Sequence, residues 1–249
     1  MDLELERYLG EVSSGLQAAL SRRLLGFYVF GSTVTGSFVP GKSDMDALAL
    51  VAGSLGNEEI ERIRGEVAGI SLPSVIRGLD LSIASDRTVA HLTESACWEM
   101  MLQVSAAETG QHVVERERCD PRLPLDLALA RQEGIPIVGP PVREVVARVP
   151  RKLVLRACTE NVRVWAGRDA FRDPASGVLN ACRAWQYLEG GTLGSKVEGG
   201  QWALGRGGHR HLLDAALAQH RGEEHRLPPD AEIKRFFQTV LGLLEAAGP

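Results

Sequence analysis

Four cysteines among 249 residues, none of them in a CxxC pair, leave this chain without a zinc motif or a disulfide framework. Cys97, Cys119, Cys158 and Cys182 are widely spaced and read as reduced thiols. No stretch approaches the roughly 20 uninterrupted apolar residues that a membrane span needs. The N-terminal MDLELERYLGEV is charged, with no apolar core of a signal peptide. Positive charge is not in excess: the formal net charge of −4 argues against a dedicated nucleic-acid binder and suits a cationic small molecule. There is no internal repeat and no low-complexity tract. These absences predict a soluble, cytoplasmic protein that binds neither membrane nor nucleic acid.

What is present is an ordinary globular composition, 44% apolar and 24% charged, in a chain long enough for one large domain or two small ones. Apolar positions Leu3, Leu9, Val12, Leu16, Leu20 and Leu24 predict an opening helix. Phe27 to Phe30, Asp44 to Val51 and Leu79 to Ile83 predict three strands, and 58–67 a helix with Asn57 as its N-cap. Residues 94–107 read as helical and 115–124 as a charged surface loop. Leu125 to Glu133 reads as a helix stopped by Gly134, before a short apolar run over 135–138. Beyond that the patterns are all helical, at roughly 142–147, 151–166, 176–189, 195–204, 208–220 and 230–246. The expected fold class is α+β: residues 1–149 form a mixed sheet with helices, and residues 150–249 an all-α bundle.

The chemistry concentrates in FGSTVTGSFVPGKSDMDALAL, from Phe30 to Leu50. Side chains two apart on a strand share a face, so Asp44 and Asp46 converge and repel. Such a pair needs a cation to stay ionised, and a hard divalent ion such as Mg2+ with oxygen ligands meets that need. Gly31 lets a phosphate approach the backbone, and Ser32 can donate to it. Asp80, on the polar side of the third strand, can share the metal or take a proton from an attacking hydroxyl. The bland alternative is an acidic turn, because Asp and Ser favour such caps locally. The full pattern G-S-x(3)-G-x(3)-P-x(2)-S-D-x-D, flanked by strands and joined by a third carboxylate, favours the site.

That stretch resembles the signature of the nucleotidyltransferase superfamily of DNA polymerase β type. More closely, the chain resembles the aminoglycoside adenylyltransferases that modify streptomycin and spectinomycin. The likeness runs nearly end to end, through LDLSI around Asp80, LPLDLALARQEGIPIVGPP, and NACRAWQYLEGGTLGSKVEGGQWAL from Asn180 to Leu204. It implies transfer of AMP from Mg2+-ATP to a drug hydroxyl by a monomer, conferring antibiotic resistance. By the same resemblance Asp44 and Asp46 would bind Mg2+, with Asp80 beside them as general base, an aspartate where the family has glutamate. Gly31, Ser32, Ser43 and Lys196 would bind ATP, and Asp169 and Asp173 would meet the cationic drug. Members that accept both drugs carry a tryptophan where an ungapped count from Asp80 puts Ser105, which leaves spectinomycin or another aminocyclitol the more open expectation. Two further readings remain: a related enzyme with a protein or RNA acceptor, and a non-catalytic nucleotide- or aminocyclitol-binding protein.

Overall fold

A computed structural model describes residues 3–105, 112–116, 120–167 and 173–248, the segment 112–116 by its backbone only. The chain separates into two compact units, one running to Arg148 and one beginning at Val149. No helix among the described residues is long and apolar enough to cross a membrane.

The first unit is built on a six-stranded mixed sheet. In chain order it comprises α1 (Leu3–Leu20), β1 (Leu24–Phe30), α2 (Ser32–Thr35), β2 (Met45–Val51), α3 (Asn57–Ala68), β3 (Gly78–Ser85), α4 (Asp86–Ala90), β4 (Met100–Ser105), β5 (His112–Arg116), α5 (Leu123–Glu133), β6 (Ile135–Val138) and α6 (Val142–Val145). The strand order is β5-β4-β3-β2-β1-β6. Only β2 and β3 run parallel; the other neighbours are antiparallel.

Strict alternation along β2 and β3 decides which side is core. Met45, Ala47, Ala49 and Val51, with Leu79, Leu81 and Ile83, join one apolar cluster with Leu5, Leu9, Val12 and Leu16 of α1 and Ile60, Ile63 and Val67 of α3. Each fully buried large aliphatic side chain there stabilises the fold by roughly 1.5–3 kcal/mol. The intervening residues, Asp46, Leu48, Asp80 and Ser82, therefore face the opposite side of the sheet. α3 begins one residue earlier than expected: Gly56 is its cap, and the Glu59 carboxylate accepts the Gly56 N–H at 2.9 Å.

Two expectations fail in this unit. Residues 94–107 are not a helix, because 100–105 form β4, paired antiparallel with β3. Met100, Met101 and Leu102 are good helix formers, but an open edge on β3 and a buried face for Met100 and Leu102 override that preference. Trp98 is buried ahead of the strand, and Ser105 pairs with Gly78 at its end. Cys97 is disulfide-bonded, against the expectation of four reduced thiols, whereas Cys158 and Cys182 are free and buried. Spacing along a chain says little about which sulfurs meet in space.

The second unit is wholly helical among its described residues: α7 (Arg151–Ala166), α8 (Pro174–Gly190), α9 (Lys196–Leu204), α10 (Arg210–His220) and α11 (Asp230–Ala246). α8 is the hub and packs against the other four. α9 approaches it backbone to backbone, since a Cβ on Gly199 would lie 2.7 Å from the Arg183 nitrogen. Trp185 and Trp202 meet edge to face at 5.4 Å, as packing residues do.

Candidate functional site

The register of the sheet sets four residues side by side. Phe30 pairs with Asp46, Asp46 with Asp80, and Asp80 with Gln103. Direct partners on neighbouring strands share a face, so the two carboxylates and the amide form one transverse row on the side away from the core cluster. Asp44 stands two residues ahead of Asp46, just outside β2.

Gly31 ends β1 and opens the loop into α2. Its backbone lies at φ 72° and ψ −146°, a region essentially confined to glycine. A Cβ there would sit 2.2 Å from Asp46 Oδ2, so Gly31 is packed directly against the carboxylate. The Gly31 N–H donates to Glu133 Oε1 at 3.1 Å. Gly31 thus contributes space and conformation, and donors for a phosphate fall to the residues after it. Ser32 is the first residue of α2. Thr33 follows with a buried hydroxyl that has no hydrogen-bond partner in the protein. Sequence reading passed over Thr33, although its place directly after Gly-Ser was the available signal. Ser43 braces the far end of the loop: its hydroxyl accepts from Val39 N–H at 2.9 Å and its carbonyl from Arg77 N–H at 3.0 Å.

The charges in the row are handled one by one. Gln103 Nε2 donates to Asp80 Oδ1 at 3.0 Å. Burial, and next the charge of Asp44, raise the Asp80 carboxyl above its ordinary pKa, against lowering contributions from Gln103, Arg122 and Arg77. Arg77 grips Asp44 with both ends of its fork, Nε to Oδ1 at 3.0 Å and Nη2 to Oδ2. Neither Arg77 nor Gln103 was anticipated, because each gains its meaning only when the register of β3 and β4 is known.

These donors fit magnesium in one particular mode. Among the described residues no three His, Cys, Asp or Glu side chains converge tightly enough to hold a metal on their own. Magnesium commonly takes one or two carboxylates and completes its shell with phosphate oxygens and water. Hard oxygens on Asp44, Asp46 and Asp80, with Asp44 felt electrostatically at Asp80, match that demand.

In the helical unit, Asp173 caps α8 by accepting the Ser176 N–H at 3.0 Å. Lys196 Nζ, from the first turn of α9, donates to Ser176 Oγ at 2.7 Å. Ser176 therefore ties together two residues 23 positions apart, a link hidden from the linear sequence. A reciprocal Ser195–Glu198 capping box starts α9 immediately before Lys196. A lysine at a helix N-terminus opposes the helix dipole, so local stability does not explain its place. Asp169 lies outside the described residues.

Comparison with known proteins points the same way. Residues 144–242 match the family model described as aminoglycoside adenylyltransferase, C-terminal domain. Spectinomycin 9-adenylyltransferases of Staphylococcus aureus are 27% identical over 211 residues, covering 80% of this chain and 79% of theirs. The crystal structure of spectinomycin adenyltransferase AAD(9) from Enterococcus faecialis with ATP and spectinomycin superposes with a TM-score of 0.77 at 20% identity. That match spans 96% of this chain and 98% of the other, and so shares its fold.

Proposed function

We propose that this chain, which belongs to the aminoglycoside adenylyltransferase family, transfers AMP from ATP to a hydroxyl of spectinomycin. The observation that carries the proposal is the register row of Asp46 and Asp80, with Asp44 ahead of it and the Gly31–Ser32 loop against Asp46. In the reaction, the drug hydroxyl oxygen bonds to the α-phosphorus of ATP and the bond to the departing pyrophosphate breaks. Asp80 accepts the hydroxyl proton. A carboxyl raised by burial and a neighbouring charge is a better base than an ordinary aspartate.

Asp44 and Asp46, with Asp80 beside them, would hold Mg2+, which when bound neutralises charge developing on the transferred phosphoryl group. Ser32 and Thr33 donate to phosphate oxygens, and the Ser43 brace fixes the loop that carries them. Lys196 supplies a further cation for the phosphates. Asp173 and Asp169 meet the ammonium groups of the drug with charge-assisted hydrogen bonds. Spectinomycin is favoured over streptomycin because the spectinomycin enzymes are the relatives found and because Ser105 offers no aromatic wall.

The direct test is mass spectrometry of AMP transfer from ATP to spectinomycin and streptomycin with purified protein and Mg2+. A mass gain of one adenylyl group (AMP less water) on spectinomycin is expected; no gain on any aminocyclitol overturns the assignment. The same preparation, expressed in a susceptible bacterium, is expected to raise resistance to the drug that it modifies in vitro.

A further inference from the structure

The pair formed by Arg77 and Asp44 has no counterpart in the roles just assigned. Arg77 is the residue before β3, held beside the β2 approach by its N–H to the Ser43 carbonyl at 3.0 Å. Its guanidinium meets both oxygens of Asp44. A bidentate fork of this kind is the geometry in which arginine matches a carboxylate best. The site is shaped for it: a Cβ on Gly78, between Arg77 and β3, would stand 3.2 Å from Asp44 Oδ1 and 2.6 Å from the Val104 carbonyl. A side chain at 78 would crowd the Asp44 carboxylate and collide with the Val104 carbonyl. The pair is also accessible, with the Arg77 side chain 52% exposed and that of Asp44 27% exposed, so the guanidinium can withdraw into water.

We propose that Arg77 is a stand-in cation for Asp44, neutralising it before the metal arrives and being displaced when the metal binds. The proposal rests on the assignment of Asp44 as a metal ligand. Its logic is competition: an oxygen of Asp44 that enters a magnesium shell must surrender the strong hydrogen bond it makes to the fork. Among the described residues the carboxylates do not form a converged metal-binding group. Metal entry alone is therefore weakened, and a metal arriving with nucleotide phosphates, which bring their own ligands, is the form best able to pull Asp44 away. Arg77 would thus bias the site against bare divalent ions.

The test measures Mn2+ binding to the full chain by electron paramagnetic resonance of free Mn2+, without nucleotide, in wild type, Arg77→Gln, Arg77→Lys and Asp46→Asn. An exposed ion pair is worth at most about 1 kcal/mol, so Arg77→Gln is expected to bind Mn2+ up to about fivefold more tightly. Arg77→Lys, which keeps the charge and loses the fork, should fall between; it also serves should Arg77→Gln fail to fold. Thermal unfolding gives the second reading: Arg77→Gln is less stable than wild type without metal, and Mn2+ closes the gap. Mn2+ affinity unchanged or weakened in Arg77→Gln overturns the stand-in role. If wild type binds Mn2+ and Asp46→Asn does not, that failure belongs to Arg77 alone; absence of Mn2+ binding to wild type and Arg77→Gln alike would remove the metal assignment and this proposal with it.

Discussion

Replacing Gly31 with alanine disturbs the candidate metal site without touching any ligand, and its consequences can be worked from two numbers. The first is the backbone: at φ 72° and ψ −146° an alanine is strained by about 1–3 kcal/mol. The second is the 2.2 Å separation between the added Cβ and Asp46 Oδ2, where real Cβ contacts stay above 3.0 Å. The carboxylate must withdraw by about 0.8 Å. Asp46 sits on a strand paired on both sides, so rotation of the side chain, not movement of the strand, absorbs the clash. A displacement near 1 Å at a reacting centre can cost about 100-fold in rate. Gly31→Ala is therefore expected to fold, to melt roughly 2–10 °C lower, and to lose about two orders of magnitude in kcat with little change in KM for the drug. Calorimetry and a pyrophosphate-release assay on the same preparation measure both. A folded Gly31→Ala protein with kcat within about threefold of wild type would refute the claim that this glycine holds Asp46 in place.

Asp46→Asn should abolish AMP transfer while leaving the thermal transition of the protein intact; measurable turnover in that variant rules out Asp46 as a metal ligand. Asp80→Asn should also lose transfer, yet stabilise the ligand-free protein at pH 7 by on the order of 1 kcal/mol. The sign follows from its raised carboxyl pKa: folding favours the protonated form, so the wild type is penalised above that pKa and not below the ordinary value of 3.8. The advantage of Asp80→Asn in denaturant titrations should accordingly shrink as pH falls and vanish in acid. In the metal-free protein the same upward shift is expected in an NMR titration of the Asp80 carboxyl, and Gln103→Ala, which removes a contact lowering it, should move that titration higher still. Lys196→Ala should raise KM for ATP, and Ser176→Ala, which breaks the 2.7 Å contact, should do so more weakly; an unaltered KM in both would take the helical unit out of ATP binding.

How much of this was readable from the chain depends on whether the relevant physics is local. The alternation of β2 and β3 is a property of a few consecutive residues, so the placement of Asp46 and Asp80 on one polar side could be read directly. That Asp46 and Asp80 are direct partners could not, because a parallel register is set by crossover and packing distant from both strands. β4 was misread for the same reason. Met100, Met101 and Leu102 carry helical preference locally, and only the vacant edge of β3 turns them into a strand. That single misreading hid Gln103, since a residue imagined on a helix has no reason to touch Asp80. Arg77 and Ser176 were missed for a related cause: each is an unremarkable surface residue type until a neighbour far along the chain is folded against it. Motif reading thus recovers the groups that do chemistry, which carry charge of an unusual pattern, and misses the groups that hold them. The latter are drawn from common residues, and their roles reside in register and contact, which no window of consecutive residues contains.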